Sequence, residues 1–184
     1  MRNTIPLNSI DVSMMINNTT GFIKLNRFSA KTTSEFNAAI TNLFENGMEQ
    51  LILDLRDNPG GYLSAAVNIC DKLLNKEELI VYTQGRMREK NKIYSRSQTI
   101  LKENKLVVLI NEGSASASEI IAGAVQDNDR GVIIGRRSFG KGLVQEEIKL
   151  NDGSAIRLTT QRYYTPSGRS IQKDYNEGNE DYFL

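Results

Sequence analysis

Two segments of the chain share one build: a short apolar run, a turn of small residues, and an apolar stripe at helical spacing. In the first segment the turn 56–61 follows the run 51–55, and in the second the turn 111–119 follows the run 106–110. Repeated strand–helix units predict an α/β fold with a mostly parallel sheet flanked by helices. Because ligands of such sheets bind at the carboxyl ends of strands, we expect both turns to face one cleft.

The rest of the hydrophobic pattern predicts further elements around these two units. A helix is predicted to begin at Thr32, with a capping box to Glu35, and to end at Gly47. Further strands are predicted over 21–25, 79–83 and 131–134, and a C-terminal β-hairpin over 143–163. The remaining stretches are a lead-in with at most one strand over 1–20, an exposed loop over 84–99, and a loose polar tail from 173.

Composition limits the classes of function. The 184 residues suit one domain, and a net charge of +1 gives no reason to expect nucleic acid as a partner. No apolar run approaches the ~18 residues that a membrane span needs, and no signal peptide is visible. The single cysteine, Cys70, cannot form an internal disulfide, and its place in a helical stripe predicts a core position.

The chain contains no histidine. This excludes a Ser-His-Asp triad, a Cys-His dyad and a histidine-ligated zinc site. A serine nucleophile in this chain would therefore need a different base, and lysine is the usual substitute.

The turn 111–119 can place a hydroxyl at a strand end and on a helix N-terminus, where N–H groups stabilise developing negative charge. The Ala117 N–H would be one oxyanion donor for Ser116. Residue chemistry alone does not choose among the three hydroxyls, which belong to Ser114, Ser116 and Ser118. The structural alternative is that these serines only cap and begin a helix.

The other turn contains Gly60 and Gly61, which permit positive φ and close approach of the backbone. Such a turn can point N–H groups outward, although a plain Pro-Gly-Gly turn is the structural alternative.

Lys141 is the candidate base. It lies between two glycines and shortly after Phe139, so we expect its side chain to enter a dry pocket that Phe139 covers. Burial disfavours the ammonium form and would let the amine accept a proton. Gln145 could orient the amine through a hydrogen bond without adding charge. The structural alternative is an exposed loop lysine beside a strand glutamine.

Four segments, taken together in order and spacing, resemble the carboxyl-terminal processing proteases, also called tail-specific proteases. They are the segments 53–61, 111–119, 138–145 and 162–172. The resemblance covers roughly residues 21–172. It implies the α/β core shared by Clp-type proteases and crotonases, and a serine endopeptidase that acts through a Ser-Lys dyad.

Residue by residue, the resemblance assigns the nucleophile to Ser116, which separates it from the two neighbouring serines. It assigns the base to Lys141, which lies 25 positions after Ser116. Gln145 matches the supporting glutamine of the family. The oxyanion donors match Ala117 and the Gly60–Gly61 turn, with the choice between the two glycines left open.

The resemblance further implies cleavage of exported or periplasmic proteins, often near C-terminal tails, without a metal or cofactor. A homo-oligomer is compatible with the sequence. Members usually carry a PDZ domain before the protease core, and no such domain is visible here. We therefore expect residues 1–184 to be one protease core domain, with 1–20 as its lead-in and 173–184 as a truncated tail.

Two other functions fit the same residues. A crotonase-type acyl-CoA enzyme would use the backbone oxyanion hole without Lys141, and Arg136 and Arg137 would be its candidates for binding CoA phosphates. A non-catalytic fragment that only binds peptides is the second alternative.

Overall fold

The computed structural model describes residues 7–97, 101 and 104–174 of the chain. No helix among these residues is long and apolar enough to cross a membrane. The elements follow in the order β1 (Ile10–Met15), β2 (Thr20–Leu25), α1 (Thr32–Glu45), β3 (Gln50–Asp54), α2 (Leu63–Leu73), β4 (Leu79–Gln84), β5 (Asn91–Tyr94), β6 (Lys105–Ile110), α3 (Ala117–Asp127), β7 (Val132–Gly135), β8 (Leu143–Lys149) and β9 (Ala155–Tyr164).

Five strands form one sheet in the order β1-β2-β3-β6-β7. Strands β2, β3, β6 and β7 are parallel, and β1 pairs antiparallel with β2 at the edge. The prediction of a mostly parallel sheet flanked by helices is confirmed. Because β3 and β6 are neighbours in register, the turns that follow them begin side by side.

One face of this sheet forms the core with the helices. Ile23, Leu53 and Val108 are aligned across three strands, and each is fully buried together with apolar residues of all three helices. Fully burying one such side chain stabilises the fold by roughly 1.5–3 kcal/mol. This packing fixes the sheet beneath the helices, so that the strand ends become a rigid platform for the two turns.

Helix α1 begins at Thr32 and ends before Gly47 as predicted, but its first turn is capped differently. Gly47 has φ +87°, and the N–H groups of Gly47 and Met48 donate to Phe44 O and Leu43 O in a Schellman motif. The capping box predicted between Thr32 and Glu35 is wrong, because no side chain caps the helix at its start. The Glu35 carboxylate instead accepts hydrogen bonds from the N–H groups of Ser9 and Ile10, at 2.7 and 3.2 Å.

Four strands form a second, antiparallel sheet in the order β5-β4-β9-β8. β8 and β9 are joined by a tight turn and pair along their whole length. The exposed loop predicted over 84–99 is wrong at 91–94, where β5 pairs with β4 and Ile93 packs against the core. Residues 98 and 99 of that prediction lie outside the described residues. In this second sheet, β8 leads away from Lys141, and β9 returns antiparallel to it.

Cys70 is buried in α2, as its position in the helical stripe predicts. Burial, with the nearby charge of Asp71 as a smaller cause, raises the pKa of the Cys70 thiol well above its usual range. Because the thiolate is the reactive form, we expect iodoacetamide to leave Cys70 unmodified in the folded chain and to modify it in denaturant. Mass spectrometry of the intact chain measures this, and equal labelling of folded and unfolded protein would contradict the packing of α2.

Candidate active site

The turn after β6 presents one of its three serines differently from the other two. Ser114 and Ser118 are fully buried, and their hydroxyls donate to Leu55 O at 2.8 Å and Asn58 O at 3.0 Å. Ser116 is partly exposed, with φ +55° and ψ −110° at the N-cap of α3. A non-glycine residue pays an energetic penalty for this conformation, and such strain is typical of functional sites.

The two turns at the strand ends lock together. Besides the serine hydroxyls, the Ala115 N–H donates to Asn58 O at 2.9 Å, and the Asp57 N–H donates to Asn111 Oδ1 at 2.8 Å. Each turn therefore satisfies buried polar groups of the other, which holds the two turns side by side.

Gly60 lies directly against the serine. A Cβ added at Gly60 would lie 2.8 Å from Ser116 Cβ and 3.0 Å from Ala117 N, distances that no side chain tolerates. A Cβ at Gly61 would instead meet Phe28 O at 2.0 Å. Both positions have positive φ, so glycine is required for space and for conformation.

The N–H groups of Gly60, Gly61 and Ala117 differ in whether they already donate a hydrogen bond within the protein. The Gly60 N–H donates to Asn58 Oδ1 at 2.9 Å. The N–H groups of Gly61 and Ala117 have no hydrogen-bond partner among the residues that the structure describes. Of the three oxyanion donors expected from sequence, these two are available to a ligand.

Glu119 connects the serine turn to the loop that carries Lys141. Its buried carboxylate accepts from the Ser116 N–H at 2.7 Å and the Lys141 N–H at 2.8 Å, both on Oε2. The other oxygen accepts from the Ser138 hydroxyl at 2.8 Å and the Gly140 N–H at 2.6 Å. Sequence reasoning gave Glu119 no role, although its spacing from Ser116 is the signature of a capping box.

The backbone of Lys141 is thus near Ser116, but its side chain is not buried. The prediction of a dry pocket is wrong in this structure, since Lys141 is exposed and Phe139 is 43 % exposed. The physical reason lies in the two flanking glycines. Gly140 packs against Lys173 and Gly142 against the backbone of Gln172, so the glycines fit the loop to that segment and turn the lysine outward.

Gln145 is exposed on β8. Within the described part of the chain, no hydrogen bond joins the side chains of Ser116, Lys141 and Gln145. The structure therefore brings the backbones of the serine and the lysine together through Glu119, and leaves the three functional side chains uncoupled.

A cleft of about 560 Å³ lies beside the site, between α3 and the segment 165–174. Glu119 and Phe139 line one side of it, whereas Ser116 and Lys141 do not belong to its lining. Asp127, at the end of α3, holds the facing segment by accepting from the Ser167 N–H at 3.0 Å. Burial alone would raise the pKa of Asp127, but hydrogen bonds from Thr165, Ser167 and Arg169 keep it below its usual value.

Across the described residues, no cluster of three or more cysteine, aspartate or glutamate side chains could hold a metal ion.

Comparison with known proteins places the chain among peptidases. The profile of peptidase family S41 matches residues 19–179. A carboxy-terminal-processing protease of Bartonella bacilliformis is 47% identical over 157 residues, which are 83% of this chain and 36% of that protein. A chloroplastic carboxyl-terminal-processing peptidase 3 of Arabidopsis thaliana is 41% identical over 154 residues, which are 84% of this chain and 30% of that protein.

A solved structure shares the fold. The photosystem II D1 C-terminal processing protease superimposes with a TM-score of 0.85 at 34% sequence identity, over 93% of this chain and 47% of that one. The chain spans about a third of the length of the curated relatives it matches. The resemblance inferred from the four sequence segments is confirmed, and the chain belongs to peptidase family S41.

Proposed function

We propose that this chain is the protease core of a serine endopeptidase in which Ser116 is the nucleophile and Lys141 is the base. The observation that carries the proposal is the difference among the three serines. The Ser114 and Ser118 hydroxyls donate buried hydrogen bonds across the two turns, and Ser116 alone of the three is partly exposed, on a helix N-terminus. A nucleophile needs that access, and the helix N-terminus favours the negative charge that develops at the substrate.

The proposed reaction proceeds through an acyl-enzyme. The Ser116 Oγ attacks the carbonyl carbon of the scissile peptide bond while its proton passes to the neutral Lys141 amine. The resulting oxyanion accepts hydrogen bonds from the N–H groups of Ala117 and Gly61, which have no other partner among the described residues. Lysine then returns the proton to the leaving amine, and water hydrolyses the ester by the same steps.

Glu119 contributes by position rather than by proton transfer. It holds the backbones of Ser116 and Lys141 on a single oxygen atom, so the distance between the two is set before substrate arrives. Displacing a reacting group by about 1 Å can cost a hundredfold in rate, which makes this fixed spacing valuable to the reaction.

Because Lys141 is exposed, the substrate would have a further role besides being cleaved. The proposed base works in a site from which water is excluded, so a bound polypeptide must cover the exposed amine. Gln145, on the strand that follows, would then orient the covered amine through its side-chain amide.

We propose that the substrates are polypeptides of an exported or periplasmic compartment, cut near their C-terminal tails. The names of the relatives, which describe carboxyl-terminal processing, support this substrate class. The crotonase alternative is less well supported, because Arg136, one of its two candidates for binding CoA phosphates, is paired with Glu112 at 2.7 Å.

Replacing Ser116 or Lys141 tests the proposed dyad. We expect Ser116→Ala and Lys141→Ala each to lower the rate of casein cleavage by at least about a thousandfold, because the nucleophile or its base is lost. Lys141→Arg should fail as well, since a guanidinium does not release its proton. Cleavage is followed on gels, with Ser154→Ala in the exposed hairpin turn as the matched control. Parental activity in Ser116→Ala would overturn the assignment.

Replacing Glu119 tests its positioning role. Glu119→Gln keeps the shape but leaves only one side-chain oxygen to accept from four donors, so we expect kcat to fall about a hundredfold with KM nearly unchanged. Steady-state kinetics on a casein-derived peptide measure both constants. Glu112→Gln, an exposed carboxylate in the same turn, is the control and should retain activity. Unchanged kcat in Glu119→Gln would remove Glu119 from the mechanism.

A further inference from the structure

Strand β8 forms an open edge of the antiparallel sheet. In the sheet order β5-β4-β9-β8 it pairs on one side only, with β9, in the part of the chain that the structure describes. The strand begins at Leu143, two residues after Lys141. An unpaired row of main-chain donors and acceptors therefore starts next to the candidate base.

The hydrogen bonds at the two ends of β8 show which residues face this edge. Gly142 O accepts from the Tyr163 N–H at 2.8 Å, and the Leu150 N–H donates to Ser154 O at 2.8 Å. The β8–β9 pairing has a register shift between Val144 and Gln145, and these two hydrogen bonds lie on either side of it. Main-chain groups alternate along an antiparallel strand, and both ends agree that even-numbered residues of β8 point toward β9. The odd-numbered residues point their N–H and C=O groups outward, and these are Leu143, Gln145, Glu147 and Lys149.

The charged side chains of β8 do not cover this edge. Glu146 accepts from Arg88 at 3.0 Å and from the Thr160 hydroxyl at 3.0 Å. The Glu147 carboxylate lies 3.8 Å from Arg157 of β9. These contacts draw the side chains over the faces of the sheet, and the backbone edge stays accessible to another strand.

The start of β8 is tied to the nucleophile turn. The Phe139 N–H donates to Ser114 O at 3.0 Å, and the next two N–H groups donate to Glu119. A chain that pairs with β8 and continues past its beginning would therefore approach Lys141, whose backbone N–H shares an acceptor oxygen with the Ser116 N–H. The same chain would cover the exposed amine, which the proposed mechanism requires.

We propose that β8 is a substrate-binding edge, to which an extended segment of a polypeptide substrate adds as a further strand. This inference rests on the proposed peptidase function, and it specifies how that function captures its substrate. Pairing through main-chain groups accepts many sequences, because every residue except proline offers the same donor and acceptor. The site would thus recognise an unfolded, extended chain rather than a particular side chain.

Hydrogen exchange tests the edge without requiring catalysis. The probe is an unstructured casein-derived peptide of about ten residues, long enough to span β8 at roughly 3.4 Å per residue. With the Ser116→Ala chain, we expect the peptide to slow amide exchange at the outward residues Gln145, Glu147 and Lys149. The already paired amides of Glu146 and Ile148 serve as internal controls, and their exchange should change less.

A proline substitution supplies the second test. Glu147→Pro removes an outward N–H without breaking the ladder to β9, and we expect it to weaken binding of the same peptide to the Ser116→Ala chain about tenfold. Glu147→Ala controls for the loss of the side chain. Lys92→Pro, on β5 at the opposite edge of the sheet, controls for proline in an edge strand. Both controls should bind as the parent does, by fluorescence anisotropy.

The two proposals fail in distinguishable ways. Protection of β8 by the peptide, without cleavage by the Ser116-containing chain, would uphold the edge and remove the peptidase function. Cleavage of the peptide without protection of the outward amides, or equal binding by Glu147→Pro and its controls, would overturn the edge and leave the peptidase proposal intact.

Discussion

The buried carboxylate of Glu119 is the interaction on which the site depends. It accepts four hydrogen bonds, and the donors come from the turn after β6 and from the loop before β8. That loop connects the parallel sheet to the antiparallel one, so Glu119, together with the hydrogen bond from the Phe139 N–H to Ser114 O, holds the loop against the serine turn. Hydrogen bonds to an ionised acceptor are about twice as strong as those between neutral groups. Burying a carboxylate without such hydrogen bonds would lower the free energy of unfolding. The four hydrogen bonds to Glu119 therefore favour a single position of the loop before β8 relative to the serine turn.

The three serines of the turn differ in burial and in their hydrogen bonds. Ser114 and Ser118 donate to carbonyl groups of Leu55 and Asn58, and Gly60 of the neighbouring turn lies against the start of α3. Ser116 lies between them in a strained conformation and stays accessible. The surrounding backbone and the Glu119 carboxylate define the position of the Ser116 hydroxyl, the proposed nucleophile, in a chain without histidine.

Much of the fold could be predicted from sequence because its signals are local. Apolar runs followed by small-residue turns and helical stripes identified the two units that build the parallel sheet, and the spacing of four segments identified the family. The rest depends on distant partners. Strand β5 exists through its pairing with β4, Glu35 binds a segment 26 residues away, and Lys141 is turned outward because its flanking glycines pack on 172–173. No local pattern contains these contacts.

Covalent labelling tests whether Ser116 is the reactive residue of this chain. A fluorophosphonate that reacts with nucleophilic serines would be added to the folded 184-residue chain, and the modified position would be identified by peptide mapping. We expect one adduct, at Ser116, and we expect the labelled chain to lose casein cleavage. The adduct should not form in Lys141→Ala. An adduct at another serine that abolishes cleavage, with Ser116 unmodified, would contradict this expectation.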